Sequence, residues 1–168
     1  MPIPLKRDVP PLLVRADADA ARGAGHVMRC LALAQEWQKR GGRVTFIGEI
    51  PQPLIERIKS AGFGCRQITA HHPEPSDLYS TLSVLDDVDR EIEAAPWVLL
   101  DGYNFDPTYQ GMLRAAGARV IVVDDTANCP YYDADLILNH AINAERLGYN
   151  CAPDAMLLLG TRYALLRS

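Results

Sequence analysis

The stretch LLVRADADAARGAGHVMRCLALAQEW, residues 12 to 37, decides the fold. It opens as an apolar strand and closes as an amphipathic helix. Between the two lie Asp17 and Asp19, the turn Gly23-Ala24-Gly25, and His26 at the mouth of the helix. A strand that enters a helix through a glycine-rich turn begins a β-α-β unit, and such turns commonly receive phosphates. This one is not a dinucleotide fingerprint. G-x-G is present, but Met28 and Arg29 stand where the third glycine would permit close packing.

The same alternation continues outward. Residues 11–16 read as a strand and 26–40 as a helix, with Val27, Cys30, Leu31, Ala34 and Gln38 on one face, Trp37 beside them, and Gly41-Gly42 as the stop. VTFIG (44–48) is a strand, 53–62 a helix closed by Gly62, and CRQI (65–68) a weak third strand. TAHHPEP (69–75) is loop. From Ser76, a possible N-cap, the helical pattern runs to residue 95 through Leu78, Leu82, Leu85, Val88 and Ile92. WVLLD (97–101), RVIVVDD (119–125), DLILN (135–139) and MLLLG (156–160) read as strands, with a helix over 107–116 that starts on Pro107. The expectation is an α/β, Rossmann-like domain whose mostly parallel sheet has helices on both faces. It occupies residues 11–160, after a leader (1–10) and before the start of a linker (161–168).

Composition narrows the function. With 168 residues and 48% hydrophobic content, the chain is long enough for one domain with a core. A net charge of −4 with scattered basic residues argues against nucleic acid or an anionic membrane as partner. No apolar run approaches the roughly 20 residues of a membrane helix, and MPIPLKRDVPP lacks the apolar core of a secretory signal, so cytoplasm is the expected location. Cys30, Cys65, Cys129 and Cys151 form no C-x-x-C pair and are read as reduced thiols, Cys30 in the core. No metal and no cofactor is expected from this pattern.

In an open parallel sheet, ligands bind beyond the carboxyl ends of the strands. Four strands send polar residues to that edge: Asp17, Asp19, Gly23, Gly25 and His26 after the first; Asp101, Gly102, Tyr103 and Asn104 after WVLL; Asp124, Asp125 and Thr126 after VIVV; Asn139 and His140 after LIL. The helix N-terminus disfavours imidazolium, so a neutral His26 is a candidate proton acceptor, although spacing alone favours a residue that only bonds backbone, as helix-terminal polar residues usually do. Asp17 either closes an Asx-type turn or bonds substrate and orients His26. Asp19 reads as structural. Adjacent carboxylates on a strand point to opposite faces, so at most one of Asp124 and Asp125 reaches the cleft, and a capping Asp for the following segment is the other reading. His71-His72 sits in a proline-rich loop and reads as solvated rather than metal-binding.

RADAD followed by GAGHVMRCLALA resembles the N-terminal signature of the PseG/SpsG family. These are UDP-2,4-diacetamido-2,4,6-trideoxy-β-L-altropyranose hydrolases of pseudaminic acid biosynthesis, with spore-coat polysaccharide relatives. The likeness continues through DGY (101–103), DD (124–125), ADLILN (134–139) and GTRYALLR (160–167), in order over nearly the whole chain. It implies the N-terminal half of a glycosyltransferase-B-like enzyme that cleaves the anomeric C–O bond of a UDP-sugar with water, inverts that centre and releases UDP. It also implies His26 as the base, with Asp17 and Tyr103 orienting water, His26 or the sugar. Gly23, Gly25, Asp101, Asp125, Asn139 and Tyr163 are the further substrate-binding candidates. This chain departs from the family in carrying Asp19 where serine is usual. The resemblance further implies a C-terminal nucleotide-binding domain, in cis or in trans, without which this chain is weak or inactive. Two other readings stay open: the acceptor domain of a glycosyltransferase of the same fold, and a non-catalytic sugar-binding domain.

Overall fold

The computed structural model describes residues 9–19, 23–89 and 94–165. Residues 1–8 of the expected leader, 90–93 with Ile92, and 166–168 of the expected linker lie outside the described residues.

Seven strands form one sheet: β1 (Leu12–Ala16), β2 (Val44–Gly48), β3 (Gly64–Gln67), β4 (Trp97–Asp101), β5 (Arg119–Val123), β6 (Leu136–Asn139) and β7 (Met156–Leu159). Their order is β3-β2-β1-β4-β5-β6-β7 and every pairing is parallel. Strands covered on both faces read as continuous apolar runs, and β1 is buried at all five positions. Side chains of β1 alternate between faces. Leu12, Val14 and Ala16 pack with α1 (Gly25–Lys39) and α2 (Gln52–Ser60). Leu13 packs on the other face with α3 (Pro75–Asp89) and α4 (Pro107–Ala115).

Element boundaries shift slightly from the sequence reading. α3 begins at Pro75, so Ser76 sits in its first turn rather than at its cap. A proline costs nothing at that position, because the amide it lacks would have no helical partner. Gln38 is exposed rather than part of the apolar face, whereas Trp37 is tied down by its indole N–H to the Pro10 carbonyl at 2.8 Å. α4 is capped by Asp106, whose carboxylate accepts from the Tyr109 amide at 2.8 Å.

The strand order reverses between β1 and β4, which lie side by side with Ala16 opposite Asp101. That switch point opens a crevice at their carboxyl ends. The neighbouring end of β2 is closed tightly against it. A Cβ on Gly48 would lie 2.0 Å from the Ala16 carbonyl oxygen and 3.0 Å from Asp17 Oδ1. Gly48→Ala must push β1 and β2 apart, so a loss of about 1–3 kcal/mol is expected. Urea unfolding of the variant checks this; unchanged stability would mean that the strands relax freely.

Candidate active site

Three elements bring the site together. β4 ends in Asp101, whose side chain is buried beneath the first turn of α1. α1 contributes His26, Arg29 and Cys30, residues three and four apart on one face. β1 leads into Asp17. The loop after β4 supplies Gly102, Tyr103, Asn104 and Phe105. A cavity of about 240 Å³ lies among Asp17, His26, Asp101 and residues 102–105.

Asp101 is the anchor. His26 Nδ1 lies 2.5 Å from its Oδ1. Arg29 grips both oxygens, Nε to Oδ2 and Nη2 to Oδ1, each at 2.6 Å. The Cys30 thiol donates to Oδ2 at 3.3 Å. Burial pushes the Asp101 carboxyl up, but the Arg29 hydrogen bonds, then His26, outweigh it and hold the group below its usual range. Asp101 is therefore a carboxylate that can only accept, so it assigns the His26 proton to Nδ1. Arg29 Nη2 also stands 3.3 Å from Nδ1, but its short bond is the one to Asp101. In the neutral form of the ring, Nε2 then carries the lone pair. Burial, with the nearby Asp101 carboxylate, raises the Cys30 thiol well above its ordinary value, so it stays a neutral donor.

The same cation ties in the loop after β5. Arg29 Nη1 reaches Asp125 Oδ1 and Oδ2 at 3.0 and 2.9 Å. Tyr103 donates to Asp125 Oδ2 at 3.4 Å, and its ring meets that of His26 edge-on at 5.5 Å. Partial burial and the Asp125 charge push the Tyr103 phenol up, keeping it protonated. Asp124 turns away from this group. It accepts from the Ala127 amide at 2.6 Å and the Tyr149 hydroxyl at 2.8 Å.

Thus His26, Asp17, Tyr103, Asp101 and Asp125 converge on one edge. Gly23, with φ of +71°, and Gly25 form the exposed turn into α1. Two sequence candidates lie elsewhere. Asn139 is fully buried, and its amide is committed to the Tyr149 hydroxyl (2.8 Å) and the Ala141 amide (2.9 Å). Tyr163 packs beside the core on the α1 side, with Arg162 over its ring. Neither lines the cavity. His71 and His72 are engaged rather than simply solvated: His71 Nε2 pairs with Glu49 at 2.8 Å and His72 Nε2 with Asp106 at 3.1 Å. The four cysteines are free thiols. Among the described residues no group of three His, Cys, Asp or Glu side chains is disposed to hold a metal ion, and no helix is long and apolar enough to cross a membrane.

The sequence reading missed Arg29, Arg15 and Asp77. Arg29 was legible as the residue one turn after His26 on the same helix face. Arg15 was legible as a charge inside an otherwise apolar, doubly covered strand, a position that demands a buried partner.

No family model matches the sequence, and no curated protein matches it. Among solved structures, MurG of Acinetobacter baumannii is similar, with a TM-score of 0.55 at 15% sequence identity over 84% of this chain. The match spans 44% of the MurG chain. MurG is a two-domain glycosyltransferase-B protein, and this chain has the Rossmann-like fold of one half of that architecture.

Proposed function

We propose that this chain is the catalytic half of a nucleotide-sugar hydrolase that releases UDP from a UDP-linked 2,4-diacetamido-trideoxy sugar. The supporting observation is the Arg29–Asp101–His26 chain, which ends in an imidazole Nε2 beside the cavity. In this reading His26 Nε2 takes a proton from water. The water oxygen bonds to the anomeric carbon, the C–O bond to UDP breaks, and the electron pair leaves on the diphosphate. Asp17 orients the water or the sugar, and Tyr103 closes the far side of His26. A second domain in cis or in trans holds the nucleotide across the cleft.

The fold likeness to MurG favours one competing reading, an acceptor domain for glycosyl transfer. Product analysis separates the two. The chain is mixed with UDP-2,4-diacetamido-2,4,6-trideoxy-β-L-altropyranose and a separately expressed C-terminal domain of a PseG/SpsG protein. Free sugar plus UDP is expected. A glycosylated acceptor would replace the hydrolase reading with transfer, and no UDP release beside a competent partner domain would remove both for this substrate.

A further inference from the structure

Arg15 has 0% exposure and sits on the face of β1 that packs α3 and α4. An apolar side chain would fill that position without desolvating a charge, and buried ion pairs exchanged for apolar groups are often neutral or stabilising. Stability alone therefore does not account for the ionic cluster here. Its geometry does. Asp77, also fully buried in the first turn of α3, accepts from Arg15 Nη2 at 2.5 Å and Nε at 3.3 Å. It accepts further from the Tyr109 hydroxyl at 2.7 Å and the His72 amide at 3.0 Å. Four donors from three segments fix the Asp77 carboxylate, and it fixes the guanidinium.

The held guanidinium supports two walls of the cavity. Nη1 bonds Asp17 Oδ1 at 2.6 Å and Nη2 lies 3.1 Å from Oδ2. The Glu49 amide adds a third donor to the Asp17 carboxylate, on Oδ1 at 2.8 Å. The same guanidinium lies over the Phe105 ring, 5.1 Å from its centroid. Asp17 and Phe105 both line the cavity, whereas Asp77 does not.

We infer that Asp77 is a positioning residue which, through Arg15, sets the direction of the Asp17 carboxylate at the cavity. This rests on the sugar-site reading of that cavity. The test uses Asp77→Asn and the milder Tyr109→Phe, each made in the wild-type chain and in Asp17→Asn. Two readouts are taken: UDP release with the partner domain, and hydrogen exchange of the Glu49 amide relative to the amides of β5. The second needs no turnover.

Asp77→Asn should lower kcat by on the order of 10- to 100-fold, the scale of a misplaced catalytic contact. It should speed Glu49 exchange about tenfold while β5 stays protected. Tyr109→Phe should shift both in the same direction by less. In the Asp17→Asn background neither change should lower kcat further, although the loss of thermal stability persists. Equal losses of kcat in both backgrounds would make the cluster a general scaffold and overturn the inference. So would unchanged Glu49 exchange in both single variants. If the wild-type chain releases no UDP, the hydrolase reading fails, and Glu49 exchange alone decides the positioning. If Asp77→Asn does not fold, Tyr109→Phe carries both readouts.

Discussion

His26→Ala should cut UDP release by about 10²–10⁴-fold, the range supplied by a positioned general base, with Tm nearly unchanged. The imidazole is partly exposed and its hydrogen-bond partner, Asp101, keeps both Arg29 bonds when the ring is removed. The carboxylate is thus not left unpaired, so folding has little to lose. Asp101→Asn makes the sharper companion. An amide that turns its NH2 toward Nδ1 moves the imidazole proton to Nε2 and removes the acceptor from the cavity. It should lose about as much activity as His26→Ala, and the double variant should lose no more than either alone, because the two act as one unit. A His26→Ala enzyme that keeps more than a tenth of wild-type kcat would show that the base lies elsewhere. Additive losses in the double variant would show that Asp101 acts independently of the ring.

The parts of this arrangement that were legible in the sequence are those set by local pattern. Apolar runs mark every strand except β3, whose GCRQ is largely exposed, because a doubly covered parallel sheet leaves few polar positions inside it. Since ligand residues collect at the carboxyl ends of such strands, Asp17, His26, Asp101, Tyr103 and Asp125 were readable as one edge. Distance along the chain hid the rest. Arg15 and Asp77 are 62 residues apart, and Arg29 and Asp101 are 72 apart, so no spacing rule joins them. Asn139 misled for a related reason. It ends β6 as Asp101 ends β4, but β6 lies two strands beyond the switch point, and its amide meets Tyr149 instead of the cavity. A strand end gives the edge, and only the strand order gives the place along it.

The same buried charges predict the largest effect on stability. Arg15→Met should destabilise the fold by about 3–5 kcal/mol, the cost of leaving a buried charge without its partner. The variant strands Asp77, which has 0% exposure and no second guanidinium within its bonding set. Adding Asp77→Leu should recover much of the loss, since the pair then becomes apolar on an apolar face. pH dependence gives an independent check. Burial pushes the Asp77 carboxyl up, but the Arg15 hydrogen bonds and charge outweigh it and hold the group below its ordinary value; Asp101 is lowered in the same way by Arg29 and His26. A carboxyl depressed in the folded state binds fewer protons there than in the unfolded chain. Its contribution is therefore present above the unfolded value of about 3.9 and is lost as pH falls through the lower folded value. Urea unfolding of the wild type should show stability that falls steeply below about pH 4. In Arg15→Met/Asp77→Leu the Asp77 share is gone, so the acid limb should be shallower while the Asp101 share remains. An acid limb as steep in the double variant as in the wild type would mean that Asp77 carries no linkage and that the acid loss comes from other carboxylates.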